Sequence, residues 1–261
     1  MAENLHSEES VTTVDGVRAI EMRYRAIRST DSKEMEFWQT SMRLNSAEMG
    51  VILPERFMPV LECDDRCVSV FRLALMQALK AEEKFESREY NADWISVTMP
   101  LRLLRKENCV DICKDIANKC NFSTKKICIE FPSILLDETD GECSLGVKRL
   151  RSAGFRTMIT GVGGNNFPLI RLAPFEFDYV CISDEVTDML DEETDRADAC
   201  VESVVSFINN LDAEPVACGV SNEKQAKKLN EMECSYYTGA YSFKGEFAGN
   251  FLLERYIRRK E

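Results

Sequence analysis

The chain of 261 residues contains a single histidine, His6, which lies close to the N-terminus. This scarcity excludes most chemistry that uses histidine as a general base or as a member of a catalytic triad. The sequence also lacks any apolar run near the ~20 residues that are needed to cross a bilayer. Its first ten residues, "MAENLHSEES", lack the charged and apolar regions of a secretion signal. We therefore expect a cytoplasmic protein that does not associate with membranes.

Metal-binding cysteine spacings are also missing. Eleven cysteines are present, but no two of them are spaced as C-x-x-C. The usual ligand spacings of a structural zinc site are therefore absent. Without a secretion signal, reduced thiols are favoured over disulfides. Free cysteines that act as small apolar residues are the simplest interpretation. We expect no metal and no cofactor.

The charge balance indicates an acidic protein without an overall basic surface. The formal net charge is −12 and the sequence pI is about 4.8. Binding of nucleic acid normally requires a basic footprint. A local cationic cluster near the C-terminus, Arg255, Arg258, Arg259 and Lys260, suits the last turn of a helix, where cations favour the helix dipole. We therefore expect no nucleic-acid partner.

Complete phosphate-binding loops are missing as well. The most glycine-rich stretch, "MITGVGGNNF" at 158–167, places Gly161 and Gly163 as a dinucleotide fingerprint would, but Asn166 stands where the last glycine is needed. No lysine follows the glycines, so a P-loop is excluded. The simpler interpretation is a turn after a strand that needs positive φ.

What the sequence does contain is a regular alternation of strands and helices. The acidic residues 1–16 predict a disordered tail, and residues 17–261 predict one folded domain. About eight apolar strand segments alternate with helical segments, which at this length predicts a (β/α)8 barrel. An open, doubly wound sheet is the alternative, because periodicity alone does not separate the two folds. Trp38 and Trp94 fall in predicted strands, where large aromatic side chains usually belong to the core.

Several segments, in a common order, resemble one family. They are "GVILPERFMPVLE", "LRSAGFRTMITGVGGNNFPLIRLAPFEFDYVCIS" and "PVACGVSNEKQAKKLNEMECSYYTGAYSF". These segments are similar to the EAL domains of bacterial cyclic di-GMP phosphodiesterases. The resemblance spans roughly residues 17–257 and implies an EAL-type (β/α)8 TIM-like barrel.

The same resemblance implies a degenerate active site. "TGVGGNNF" lies where the family carries D-D-F-G-T-G-Y-S, so Thr160 and Gly161 occupy the places of its two aspartates. Nine positions that bind metal, activate water or support these groups in the family are replaced, namely Gln39, Thr98, Pro132, Thr160, Gly161, Cys181, Ser183, Cys218 and Thr238. Arg43 alone matches, at the family arginine that contacts a ligand phosphate.

The residues at these positions are poor ligands for the metals that the family uses. Magnesium and manganese are hard cations that prefer carboxylate oxygens, and a pair of them needs several negative charges. Glu130 lies two residues before Pro132, so on a strand both side chains face the same way. One carboxylate would not hold a metal pair, and Glu130 is also consistent with a charge that flanks the core or with a one-residue shift of the alignment.

The sequence therefore predicts a catalytically inactive EAL-like domain that acts as a regulatory protein-binding module in bacterial cyclic di-GMP-related signalling. The alternative is a metal-independent cyclic di-GMP receptor that uses Arg43. An unrelated thiol enzyme built on Cys181 and Cys218 is disfavoured, because no histidine can activate either thiol. A protein partner is expected, cyclic di-GMP is a possible ligand, and the resemblance allows a homodimer.

Overall fold

The computed structural model describes residues 13–14, 17–18, 20–87, 90–133, 136, 141–164, 167–192 and 194–243. The amphipathic segment near the C-terminus and most of the predicted acidic tail lie outside these described residues.

Eleven strands form within the described residues. In chain order they are β1 (Thr13–Val14), β2 (Val17–Arg18), β3 (Ile20–Ser29), β4 (Met35–Ser46), β5 (Gly50–Ile52), β6 (Trp94–Thr98), β7 (Ile127–Pro132), β8 (Arg156–Val162), β9 (Tyr179–Ile182), β10 (Glu214–Ala217) and β11 (Tyr236–Tyr237). Eight of them follow one another in the order β3-β11-β10-β9-β8-β7-β6-β4, and pairing of β3 with β4 closes the ring. The predicted barrel is therefore confirmed, and the open doubly wound sheet is excluded.

The barrel departs from an all-parallel arrangement at its first strand. β3 runs antiparallel to both of its neighbours, β4 and β11, whereas the pairs from β4 through β6 to β11 are parallel. The connection from Ser29 to Met35 is too short for a crossover helix, and a short connection joins antiparallel strands. β3 and β4 consequently form a long hairpin that β5 extends on the outer edge.

Helices cover the outside of the barrel. They are α1 (Pro54–Leu61), α2 (Arg66–Glu86), α3 (Leu101–Leu104), α4 (Cys109–Lys119), α5 (Gly141–Ser152), α6 (Asp184–Asp188), α7 (Asp195–Asn209) and α8 (Glu223–Glu231), with single 3-10 turns at Thr124–Lys126, Leu169–Leu172, Met189–Asp191 and Tyr241–Phe243. Side-chain caps begin two of them, since Thr194 accepts from the Ala197 amide and Asn222 from the Gln225 amide. Within the described parts of the chain, no helix has the length and apolarity to span a bilayer.

Two apolar layers fill the fold. The larger lies between the strands and the helices and includes Trp38, which packs against Phe85. The smaller fills the barrel interior, where the Phe37 and Trp94 rings stack with centroids 4.0 Å apart. The indole nitrogen of Trp94 donates to the Tyr179 hydroxyl at 2.9 Å. Both tryptophans are therefore core residues, as predicted, and aromatic side chains close the end of the barrel where the parallel strands begin.

A short pair of strands lies beside the predicted boundary between the acidic tail and the barrel. Thr13–Val14 pairs antiparallel with Val17–Arg18. The division of the chain at residue 16 into a tail and a barrel domain stays a prediction.

Candidate functional site

The nine predicted site positions meet at one end of the barrel. Thr98 and Pro132 are the last residues of β6 and β7, and Ser183 directly follows β9. The remaining positions lie in or directly after their strands near the same end, namely Gln39, Thr160, Gly161, Cys181, Cys218 and Thr238. In barrels of this kind, functional residues come from the carboxyl ends of the strands. We call this end the mouth of the barrel.

A polar network at the mouth is centred on Glu130. The carboxylate accepts hydrogen bonds from the Gln39 amide nitrogen at 3.2 Å and from the Ser96 hydroxyl at 3.0 Å. The Thr98 hydroxyl lies 3.5 Å from the other carboxylate oxygen. These three donors come from β4 and β6, and Glu130 lies on β7, so the network links three neighbouring strands. The carboxylate is thus engaged with protein groups.

Burial governs the protonation of Glu130. Its side chain is buried, and desolvation raises the pKa of the carboxyl above its ordinary value. The hydrogen bonds from Gln39, Ser96 and Thr98 and the positive charge of Arg25 act in the opposite direction. Desolvation is the largest of these effects, so the net shift of the Glu130 pKa is upward.

Two of the predicted positions support the backbone. The Thr238 hydroxyl, which is fully buried, donates to the Ala26 carbonyl oxygen at 2.8 Å and so joins the end of β11 to β3. The Thr160 hydroxyl donates to the Phe131 carbonyl oxygen at 3.3 Å. Both hydroxyls are therefore used within the barrel wall.

The glycine-rich stretch forms the turn that was predicted from its composition. Gly161 and Gly163 have φ values of +83° and +87°, a region that side chains rarely adopt. A Cβ atom on Gly163 would lie 2.8 Å from Cγ2 of Val186. Positive φ and close packing against α6 account for these glycines without a bound phosphate.

Arginine side chains line the face of the hairpin that continues the barrel interior. Arg43 is paired with Glu21, Nη2 to Oε1 at 2.8 Å, directly across the hairpin. Arg25 lies opposite Gln39, and Arg23 lies opposite Ser41, so both share this face. Arg23 and Arg25 were not among the site residues predicted from the sequence. The alternation of β3 could have identified them, since Tyr24 packs outward against Phe85.

Sulfur atoms meet on the opposite side of the mouth. The Cys181 thiol is fully buried and lies 3.3 Å from the Met158 sulfur, and Cys218 packs against the same apolar cluster. The neighbouring Ser183 hydroxyl is buried and has no hydrogen-bond partner among the described residues. Nowhere in the described ranges do three or more His, Cys, Asp or Glu side chains converge as a metal site.

Comparisons with known proteins agree with this architecture. The family model "EAL domain" matches residues 16–244. A comparison with curated proteins gave no significant match. Among solved structures, the EAL enzyme Bd1971, in its cAMP- and cyclic-di-GMP-bound form, superposes with a TM-score of 0.75 at 17% identity, covering 100% of this chain and 68% of the other.

Two further solved structures share this fold. An EAL domain protein from Listeria monocytogenes EGD-e has a TM-score of 0.72 at 15% identity, covering 100% of this chain and 97% of the other. The FimX EAL domain from Pseudomonas aeruginosa, bound to c-di-GMP, has a TM-score of 0.74 at 10% identity, covering 94% and 95% of the two chains. At these identities the likeness establishes the barrel fold alone.

Proposed function

The chain belongs to the EAL domain family, and we propose that it is a catalytically inactive member that acts as a regulatory protein-binding module in bacterial cyclic di-GMP-related signalling. The observation that carries the proposal is the donor chemistry of the mouth. A pair of divalent cations needs several carboxylates that converge. The described residues contain no group of three or more His, Cys, Asp or Glu side chains that could hold a metal ion.

The residues at the mouth do not fit the metal pair of the family. At the nine matched positions the side chains are an amide, hydroxyls, thiols, a proline and a glycine. Glu130, the nearby carboxylate, is buried and already accepts hydrogen bonds from Gln39 and Ser96. The thiols of Cys181 and Cys218 favour softer metals than magnesium or manganese.

A protein-binding role is supported by exposed apolar side chains beside the mouth. Met49 is 70% exposed, Val51 50%, Leu53 53% and Val60 68%, and all four belong to the short stretch 49–60 at β5 and α1. Val51 lies directly opposite Asn45 and so shares the hairpin face that carries Arg43. Groups of exposed apolar residues often mark interaction surfaces.

Capture of a partner with matched surface variants tests this role. Cross-linked material would be purified from the source organism with the wild-type chain, with Val60→Asp and with Leu145→Asp. Leu145 is 54% exposed and lies on α5, so its change introduces the same charge elsewhere. We expect one partner to be retained by Leu145→Asp and lost with Val60→Asp. Identical capture by all three chains would contradict the role of residues 49–60.

A second candidate function, a metal-independent cyclic di-GMP receptor, is favoured by the arginines. Arg23, Arg25 and Arg43 share one face at the mouth, and guanidinium groups recognise phosphate oxygens well. Two of the structural neighbours, Bd1971 and FimX, were solved with this dinucleotide bound. Loss of carboxylates around a dianionic ligand is compatible with binding in the absence of metal.

Calorimetric titration with cyclic di-GMP, once with magnesium and once with EDTA, separates the two candidates. The receptor predicts binding that survives EDTA and weakens by roughly 10-fold or more in Arg25→Ala and Arg43→Ala, since hydrogen bonds to charged groups contribute about 1.5–3 kcal/mol. Lys33→Ala, at an exposed cation in the turn at the far end of the hairpin, should bind as the wild type does. An absence of heat at high micromolar ligand would reject the receptor and leave the protein-binding role.

A further inference from the structure

Three sulfur atoms meet where three consecutive strands approach the mouth. Cys181 lies on β9, Met158 on β8, and Cys218 directly after β10. The Cys181 sulfur is 3.3 Å from the Met158 sulfur, and Cys218 packs against the apolar cluster that contains both residues. The backbone amide of Cys218 donates to the Ile182 carbonyl oxygen at 3.1 Å, which holds this residue beside the end of β9.

The three residues differ in burial: two are enclosed, and the third is accessible from solvent. Cys181 and Met158 have no exposed surface, and both belong to the apolar cluster of the barrel interior. Cys218 packs against the same cluster but is half-buried, at the open side. A soft ion that arrives from solvent would therefore meet Cys218 first and Cys181 next. Cysteines that only fill space in a core need no such exposed member.

The strand register disfavours a direct disulfide between the two thiols. Cys181 pairs with Val216, so Cys218 is a diagonal neighbour two residues further along. Diagonal neighbours on adjacent strands are about 7–8 Å apart at Cα, whereas disulfides require Cα atoms less than about 7 Å apart. A metal bonded to both sulfurs at about 2.3 Å spans a wider gap than an S–S bond does. The arrangement therefore suits a bridging ion better than oxidation.

We propose that Cys181, Cys218 and Met158 form a binding site for one soft monovalent metal ion, copper(I), at the mouth of the barrel. Thiolate and thioether ligands select copper(I) among the common biological metals. On binding, each thiol releases its proton to solvent, so that two S–H bonds are replaced by two S–Cu bonds. Neither copper nor sulfur changes its oxidation state. The Met158 thioether contributes a neutral third donor.

Other metals fit this donor set less well. Magnesium and manganese prefer oxygen ligands. Zinc in structural sites takes four ligands, and the described residues offer no third cysteine, histidine or carboxylate at this point. This site is independent of the proposed regulatory role.

Competition with a chromogenic copper(I) chelator tests the site. The full chain would be titrated without oxygen, in reductant, as wild type, Cys181→Ser, Cys218→Ser, Met158→Leu, and the surface control Cys63→Ser/Cys200→Ser. Cys63 and Cys200 are the exposed cysteines among the described residues. We expect one copper(I) per wild-type and control chain. Loss of either core thiol should weaken binding by more than about 100-fold, since even outer partners of metal ligands contribute about 10–100-fold.

The result that overturns the proposal is equal stoichiometry and affinity in Cys181→Ser and Cys218→Ser. If a core variant fails to fold, protection of the wild-type chain from alkylation tests the site instead. One equivalent of copper(I) should protect Cys218 from alkylation, read by peptide mass spectrometry, while Cys63 stays reactive. Alkylation of Cys218 at the same rate with and without the ion would also reject the site.

Discussion

The Gln39 side-chain nitrogen lies 3.2 Å from a carboxylate oxygen of Glu130, across the intervening strand β6. The amide donates, and the carboxylate accepts. By the family resemblance, Gln39 occupies the position of the glutamate in the motif that names EAL domains. A glutamate there would face Glu130 as a second carboxylate at hydrogen-bond distance. The Gln39 amide can donate to the Glu130 carboxylate, whereas an ionised glutamate at this position could not.

The change Gln39→Glu is accordingly expected to destabilise the fold without creating activity. Two carboxylates in a buried site repel each other when both are ionised, and the lost donor leaves Glu130 with one fewer partner. We expect a loss of about 1–3 kcal/mol at pH 8 and a smaller loss at pH 5, where protonation relieves the repulsion. Denaturant unfolding at both pH values measures this difference.

The control for this change is Ser41→Glu, which adds the same charge two residues along the strand, at an exposed position opposite Arg23. It should alter stability by less than about 0.5 kcal/mol. A Gln39→Glu chain that is as stable as the wild type at pH 8 would show that the Glu130 network does not depend on the amide.

Replacement of one glycine by alanine tests whether the glycine-rich turn requires positive φ and close packing. Gly163→Ala places a side chain at φ +87° and brings its Cβ within 2.8 Å of Val186. We expect a loss of about 1–3 kcal/mol from backbone strain alone. Gly141→Ala is the matched control, because that glycine begins α5 with nothing within 4 Å of the added carbon. Thermal unfolding in which both variants behave alike would contradict this account.

The stability of the fold should depend on pH through Glu82, which lies on α2. Its side chain is buried, and neither carboxylate oxygen has a hydrogen-bond partner among the described residues. Burial, aided by the charge of Glu86, raises its pKa from 4.5 to about 7. The protonated form is thus favoured in the folded state. The contribution of Glu82 to the free energy of unfolding is therefore fully present below pH 4.5 and is lost as the pH rises through about 7.

Replacement of this carboxyl by an apolar group should remove that loss. At about 1.4 kcal/mol per pKa unit, Glu82→Leu is expected to stabilise the chain by up to about 3 kcal/mol at pH 8 and to have little effect near pH 4.5. Glu83→Leu makes the same chemical change at an exposed neighbour and should stay within about 0.5 kcal/mol at both pH values. Equal pH profiles for wild type and Glu82→Leu would refute the assignment.

The barrel was predictable because its strands and helices alternate with strong periodicity, and the resemblance added the order of the strands. Individual positions also followed from local chemistry. Pro132 ends β7, as expected for a residue that lacks a backbone donor, and the glycines adopt positive φ. The antiparallel first strand was not predicted, since alternation is the same for parallel and antiparallel strands.

Contacts between distant strands could not be predicted. The bond from Gln39 to Glu130 joins residues 91 positions apart, and the contact between Met158 and Cys181 depends on the register of β8 and β9. Thr238 was predicted as a site position, yet its hydroxyl is bonded to the Ala26 carbonyl on another strand. Such pairings depend on register, which one-dimensional patterns do not encode. Arg25, in contrast, was visible in the alternation of β3.

An assay of cyclic di-GMP hydrolysis decides whether this EAL domain is catalytically inactive. The purified full chain would be incubated with the dinucleotide and either magnesium or manganese, and linear product would be separated by chromatography. Glu130→Gln, which removes the buried carboxylate, would be run beside it so that contaminating activity is recognised. We predict no linear product above the control without protein. Metal-dependent turnover by the wild-type chain that is lost in Glu130→Gln would contradict the proposal that this EAL domain is inactive.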